Sequence, residues 1–411
     1  MVARNPQFMK LKAGYLFPEI AKRKNALQEK QPDARIISLS IGDTTEALPP
    51  YITAKLVESV KKLGTKDGYE GYGPAHGKLV LREKIAETFY QNHISADEVF
   101  ISDGAKCDLG RLQVLFGKDT SIAVQDPAYP AYVDISVIMG QTEDFNSQTN
   151  AYDGLVYMSC SAENDFFPNL DDLARTDIII FCSPNNPTGA VATRKQLEAL
   201  VKFAKKNKSI IIYDTAYAPF QKDPSLPKTI YEIEGAHEVA IEVSSFSKLA
   251  GFTGVRLGWT VIPKQLLFDD GTSVKQDWAR LHNTYFNAAS NIAQDGGIAI
   301  LEDQGFEEVL ELVDYYMENA QILKKSFESH GFKVYGGENA PYLWVDFRPK
   351  KSWDAFEEIL KSAHVVPSPG SGFGPAGEGF LRFSAFGSRE DIHEAVSRLE
   401  AHFKMETMQK N

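Results

Sequence analysis

The middle of the chain is written as short apolar runs separated by longer, amphipathic stretches. Runs at 99–102, 121–125, 178–182, 210–214, 239–245 and 257–262 are rich in Val, Ile and Phe. A strand covered on one face alternates apolar and polar positions, whereas one buried on both faces is apolar throughout. Ile178-Ile179-Ile180-Phe181-Cys182 and Ile210-Ile211-Ile212-Tyr213-Asp214 are of the second kind. Alternating with helical stretches, such runs predict a mainly parallel sheet covered by helices on both sides, an α/β fold. The C-terminal part changes character. An amphipathic helical segment from about 293 to 330 leads into strand candidates at 342–347 and 380–384, with helices near 352–362 and 389–402. The 411 residues exceed what one hydrophobic core usually supports. The chain is expected to divide into a large domain, 46–290, and a smaller α+β domain made from 1–45 and 291–411. The Pro- and Gly-rich stretch 367–375 reads as a flexible loop, either a connector or a segment that closes over a ligand.

Chemistry concentrates where these runs end. Lys248 lies within Ser244-Ser245-Phe246-Ser247-Lys248-Leu249-Ala250-Gly251-Phe252-Thr253-Gly254-Val255-Arg256. An amine that acts as a nucleophile must shed its charge and be held in place. A serine and an arginine on either side of it suit a phosphate, which takes hydroxyl donors and planar guanidinium. Together they suggest pyridoxal phosphate, with Lys248 as the Schiff-base lysine and Ser245 and Arg256 on the phosphate. Asp214 ends the run 210–214, at the edge where open α/β sheets place ligands. An anion there would keep a pyridinium nitrogen protonated, and Tyr217 would reach the cofactor's phenolic oxygen; a helix N-cap is the other common use of such an Asp. Gly104-Ala105-Lys106 opens a helical pattern running to Phe116, and helix-start amides form a natural phosphate site. Tyr129 follows the run 121–125 and either stacks on a ring or packs in the core. Arg382 is the one charge in Phe380-Leu381-Arg382-Phe383-Ser384 and requires a partner, a substrate carboxylate or a structural one.

Composition narrows the field. A net charge of −11 without a basic run argues against a nucleic-acid surface. The three cysteines, Cys107, Cys160 and Cys182, are odd in number and form no CxxC pair, which argues against a disulfide framework or a zinc site. No metal is expected. The chain has neither an apolar signal core near its start nor an apolar run of about eighteen residues, so a soluble, cytoplasmic protein is expected, without a membrane or nucleic-acid partner.

The ordered set Tyr72, Gly104-Ala105-Lys106, Tyr129, Asn186, Asp214, Tyr217, Ser245, Lys248, Arg256 and Arg382 resembles the fold-type I, aspartate-aminotransferase-like pyridoxal 5'-phosphate enzymes over nearly the whole chain. The resemblance implies a large domain on a mainly parallel sheet of the seven-stranded type, plus a smaller α+β domain. It implies that Asn186 bonds the cofactor's ring oxygen, that Tyr129 stacks on the ring, and that Tyr72 reaches the phosphate of the neighbouring subunit in a homodimer. Arg382 would hold the substrate's α-carboxylate. Lys248, freed by the incoming amino acid, would be the general base in a two-stage, ping-pong exchange with a 2-oxo acid.

Several segments more closely resemble a branch of that family acting on LL-2,6-diaminopimelate, with tetrahydrodipicolinate and glutamate on the other side of the exchange. They are Lys12-Ala13-Gly14-Tyr15-Leu16-Phe17, Ser40-Ile41-Gly42-Asp43-Thr44-Thr45, Ile101-Ser102-Asp103-Gly104-Ala105-Lys106, Phe286-Asn287-Ala288-Ala289-Ser290 and Ala340-Pro341-Tyr342-Leu343-Trp344-Val345. This resemblance implies substrate contacts from Tyr15, Gly42, Lys106, Tyr129, Asn186 and Arg382, with Lys106 on the distal carboxylate and Asn287 of the partner subunit near the distal amine. One position departs from the pattern. After Tyr72-Gly73-Pro74 comes Ala75-His76, where the branch commonly carries an acid to meet the distal ammonium. Another aminotransferase specificity, or a pyridoxal-phosphate C–S lyase, would share every cofactor residue.

Overall fold

The computed structural model describes residues 1–12, 16–91 and 93–410. Its centre is a seven-stranded sheet in the order Val99–Ser102, Gly258–Val261, Ala240–Ser245, Ile210–Asp214, Ile178–Cys182, Ile122–Asp126, Leu155–Ser159. All neighbours pair in parallel except Gly258–Val261, which is antiparallel to both of its own. The all-apolar runs have the predicted cause. Successive side chains point to opposite faces, so Ile179, Phe181, Ile211 and Tyr213 enter one buried cluster, and Ile178, Ile180, Cys182 and Ile212 enter the other.

A second, four-stranded antiparallel sheet is formed by Val334–Gly336, Tyr342–Asp346, Phe380–Ser384 and Ser368–Pro369. Its buried side chains join Leu16, Ile20, Ile37 and Leu39 from the beginning of the chain. The helix Asp303–Ser329 links the two parts: Val309, Val313 and Tyr316 pack with the large-sheet cluster, and Ala320, Leu323 and Phe327 with the smaller one. Among the described residues no helix is long and apolar enough to cross a membrane.

Three sequence expectations need correction. Leu155–Ser159 is an edge strand that the apolar pattern did not mark, because only Leu155 and Met158 of it are buried. The helical segment 293–330 is two helices, Asn291–Ile300 and Asp303–Ser329, since Glu302 takes an extended conformation (φ −86°, ψ 153°) between them. The stretch 367–375 is not a flexible loop. Ser368 and Pro369 pair with Arg382 and Leu381 in the small sheet, and Gly370 packs backbone to backbone against Gly377, where a Cβ on either would overlap the other's carbonyl. Glycine here permits close packing rather than motion.

Candidate active site

Four parallel strands end at one edge of the large sheet and the antiparallel strand Gly258–Val261 begins there, so register sets Cys182 beside Asp214 and Gly258 beside both Ser245 and Ser102. Beyond that edge lies a cavity of about 540 Å³, closed on its far side by Arg382 and Tyr342 of the small sheet. Asp214, Tyr217, Asn186, Ser245, Lys248, Arg256, Ala105, Lys106, Tyr129, Gly42 and Arg382 all line it. Chain positions more than three hundred residues apart thus converge on one space.

Lys248 sits on the short helix Phe246–Leu249, which Ser245 caps by accepting from the Ser247 amide at 3.0 Å. Its amine donates to the Gly42 carbonyl. Burial lowers the Lys248 pKa to about 8; Asp43 opposes the shift, and Arg382, Arg256 and Lys106 reinforce it. The amine therefore reaches its neutral, nucleophilic form near physiological pH.

Asp214 is 5% exposed, with Oδ1 accepting from the Ala216 amide at 3.0 Å and Oδ2 from the Tyr132 hydroxyl at 2.8 Å. One oxygen thus closes a local turn rather than capping a helix, since the short helix that follows starts after Tyr217, and the carboxylate still faces the cavity. Burial raises its pKa, against the pull of Ala216 and Tyr132. Such a group is ready for a cationic ring nitrogen, which would offset the cost of its burial. The Tyr217 and Tyr342 hydroxyls share a hydrogen bond of 2.7 Å.

At the other end of the cavity the helix Ala105–Phe116 begins; the Cys107 and Asp108 amides donate to the Gly104 carbonyl, and the Ala105 and Lys106 amides ahead of them have no acceptor within the helix. Gly104 precedes it with φ +124°, and a Cβ there would collide with the Arg256 guanidinium. Arg256, itself at φ +69°, donates from Nη1 to the Thr253 carbonyl at 3.0 Å. Helix start, Arg256 and the Ser245 hydroxyl form a cradle for a small polyanion. Lys106 Nζ stands 5.6 Å from the Tyr129 ring centre.

Arg382 is 1% exposed and reaches from the small sheet to the turn after Ile178–Cys182, Nη1 donating to Asn186 Oδ1 at 2.6 Å. Nη2 donates to the Ser40 carbonyl and stands 3.4 Å from Ser368 Oγ. The guanidinium carbon lies 4.5 Å from the Tyr342 ring centre and 4.8 Å from that of Phe373. An aromatic frame of this kind holds a planar cation flat and ready for a carboxylate.

Some expected residues are elsewhere. Tyr72 is 90% exposed, Asn287 is also exposed, and neither lines the cavity of its own chain. Tyr15 lies outside the described residues. Glu70 is engaged by Lys78 at 2.7 Å, which also holds Asp295 at 2.5 Å. His76 packs its ring 4.6 Å from Phe100. Conversely, the sequence reading did not single out Tyr132 or Tyr342, the hydroxyl partners of Asp214 and Tyr217. A buried tyrosine reads as core unless its hydroxyl's partner is known.

The chain matches the family model "Aminotransferase class I and II" over residues 34–399. It is 58% identical over 400 residues to the LL-diaminopimelate aminotransferase of Protochlamydia amoebophila (strain UWE25), covering 97% of each chain. It is 57% identical over 404 residues to the chloroplastic LL-diaminopimelate aminotransferase of Arabidopsis thaliana, covering 98% of this chain and 87% of that one. The solved L,L-diaminopimelate aminotransferase from Chlamydomonas reinhardtii superimposes with a TM-score of 0.94 at 58% identity, covering 98% of this chain and 99% of that one. An aspartate aminotransferase mutant of Thermus thermophilus, 21% identical, shares the fold with a TM-score of 0.82. A cavity that gathers a lysine of lowered pKa, a buried carboxylate and a framed arginine, in a chain alike to these along its length, has one family reading: the chain belongs to the class I and II aminotransferases.

Proposed function

We propose that this chain exchanges an amino group between LL-2,6-diaminopimelate and 2-oxoglutarate, giving tetrahydrodipicolinate and glutamate, in the synthesis of lysine. The observation that carries the reading is the near-complete likeness to relatives bearing that name, at 57–58% identity, in a chain whose own residues form the matching cavity. The cofactor is pyridoxal 5'-phosphate, and the donor set fits it: a polyanion cradle at Gly104, Ala105, Ser245 and Arg256, a buried carboxylate at the far end, and an amine of lowered pKa between them. When bound, that cofactor supplies an electron sink for the carbanion formed at the substrate's α-carbon.

The chain's own groups do the rest in this reading. Lys248 Nζ holds the cofactor and then carries the α-proton as general base and acid. Asp214, steadied by Tyr132, keeps the ring nitrogen protonated. Asn186 and Tyr217 face the ring oxygen, and Tyr129 covers the ring. Arg382 pairs with the α-carboxylate of either amino acid, with Gly42 beside it. Lys106 meets the distal carboxylate, and Tyr15 approaches the reactive end. Tyr72 and Asn287, exposed on their own chain, serve the partner subunit of a cytoplasmic homodimer. The division into 46–290 and 1–45 with 291–411 belongs to the same proposal; the separate small-sheet cluster supports it, while residues 293–317 pack with the larger one.

The substrate assignment is tested by single half-reactions. Purified holoenzyme is mixed separately with LL-diaminopimelate, meso-diaminopimelate, lysine, glutamate, aspartate and tyrosine, and the cofactor's absorbance is followed. Rapid change with LL-diaminopimelate and glutamate alone supports the reading and means that Ala75 is compensated. A response led by another amino acid keeps the aminotransferase and discards the diaminopimelate assignment.

The lowered lysine pKa has its own consequence. Attack on the cofactor's aldehyde needs the neutral amine, of which about a tenth is present at pH 7 for a pKa near 8 but well under a thousandth for an ordinary lysine. The rate at which cofactor-free enzyme captures pyridoxal 5'-phosphate is expected to rise with pH and to level off above about 8. A rise that continued unabated to pH 10 would contradict the lowered value.

A further inference from the structure

Asp126 is a buried acid that the chemistry above does not use. It ends the strand Ile122–Asp126 and precedes Pro127-Ala128-Tyr129, so the segment it begins delivers Tyr129 to the cavity. Its side chain is 5% exposed, and both carboxylate oxygens lie 3.1 Å from the Ala376 amide, across the junction with the small domain. Two residues on, the Ala128 amide donates to the Phe373 carbonyl at 2.8 Å. Gly374, between these contacts, has φ +136°, and a Cβ there would overlap Asp126 Oδ1. Phe373 in turn supports the Arg382 guanidinium from 4.8 Å.

Among the described residues no cation pairs with Asp126. Burial pushes its carboxyl up to about 7, with only the Ala376 amide pulling the other way. A carboxyl group placed there is costly, and an apolar residue would fill the space without that penalty. What the acid uniquely supplies is an acceptor for the small-domain turn.

We propose that Asp126 is a positioning residue: by holding the 373–376 turn against the Tyr129 segment, it sets Phe373, and through it Arg382, at the distance from the cofactor ring that the substrate's α-carboxylate requires. The inference rests on the carboxylate role given to Arg382 above. A structural acid would affect stability alone; a positioning acid affects amino-acid binding with the cofactor still in place.

The test is steady-state kinetics of the holoenzyme with glutamate as donor, alongside cofactor retention and thermal unfolding. Asp126→Ala is expected to raise KM for glutamate about tenfold, the loss of one hydrogen bond to a charged group, with kcat and cofactor retention changed little. Asp126→Asn keeps an acceptor for the Ala376 amide and should recover most of the loss. Gly374→Ala pushes on the same contact from the opposite side and should reproduce the KM effect, which keeps the proposal open to refutation even if Asp126→Ala folds poorly. Arg382→Ala is measured in parallel. If it raises KM while Asp126→Ala and Gly374→Ala do not, the inference is overturned and the Arg382 assignment stands. If Arg382→Ala leaves KM unchanged, the underlying assignment fails instead. Cofactor loss in step with activity in the Asp126 and Gly374 variants, or an Asn variant as impaired as the Ala one, would also overturn it.

Discussion

Lys248→Ala is expected to abolish turnover, with kcat falling by roughly four orders of magnitude, the upper range for loss of a positioned general base. The expectation follows from where the amine sits. It is lodged inside the cavity against the Gly42 carbonyl, and burial brings its pKa to about 8, so its neutral form is available at neutral pH. Alanine removes both the covalent attachment and the proton carrier. The polyanion cradle and Asp214 are untouched, so bound cofactor should persist but lose the visible absorption of its lysine-linked state. Lys248→Arg separates charge from proton transfer. A guanidinium stays protonated at any working pH, so this variant should be as inactive as the alanine one although the positive charge remains. Turnover within about tenfold of the parent in either variant would remove Lys248 from the role of base.

How far the fold was legible depends on what each segment's side chains face. Ile178–Cys182 and Ile210–Asp214 are buried on both sides, so their apolar runs could hardly be anything but central strands. Leu155–Ser159 lies at the sheet edge with mixed burial, and its Leu-Val-Tyr-Met-Ser pattern carries no comparable signal. Stretch 367–375 misled because composition reports backbone freedom, not how the freedom is used. The glycines there let Gly370 and Gly377 touch, and Trp344 packs beside them. The break at Glu302 is a change of backbone direction inside an otherwise continuous amphipathic pattern, which periodicity does not register.

The site divides along a similar line. Residues at strand ends or helix starts, such as Asp214, Ser245 and Ala105, were legible because the topology of open α/β sheets fixes where such ends gather. Tyr132 and Tyr342 were not, since their roles exist only in the hydroxyl contacts to Asp214 and Tyr217 that folding creates. Asp126 carries no sequence signal of its role. Its partner, Ala376, is 250 residues away and offers only a backbone amide, which sequence cannot mark.

Arg382→Ala should cut kcat/KM for both the amino acid and the oxo acid by about 3 kcal/mol, roughly 150-fold, the lower range for removing one partner of a buried ion pair. The guanidinium is held on several sides, by Asn186 Oδ1 at 2.6 Å, the Ser40 carbonyl, and the Tyr342 and Phe373 rings. That setting fixes its plane before any substrate arrives, so little ordering remains to be done when a carboxylate binds. Arg382→Lys should rescue only a small part of the loss, because an ammonium cannot present two parallel donors or lie flat against the two rings. None of these contacts belongs to the polyanion cradle at Gly104 and Arg256, so cofactor retention should be near that of the parent. The two readouts are therefore expected to part company: substrate affinity collapses while cofactor stays. Were cofactor lost first, Arg382 would be holding the cofactor side of the cavity through Asn186, and the carboxylate would have to be met by another cation lining the same space, such as Lys106.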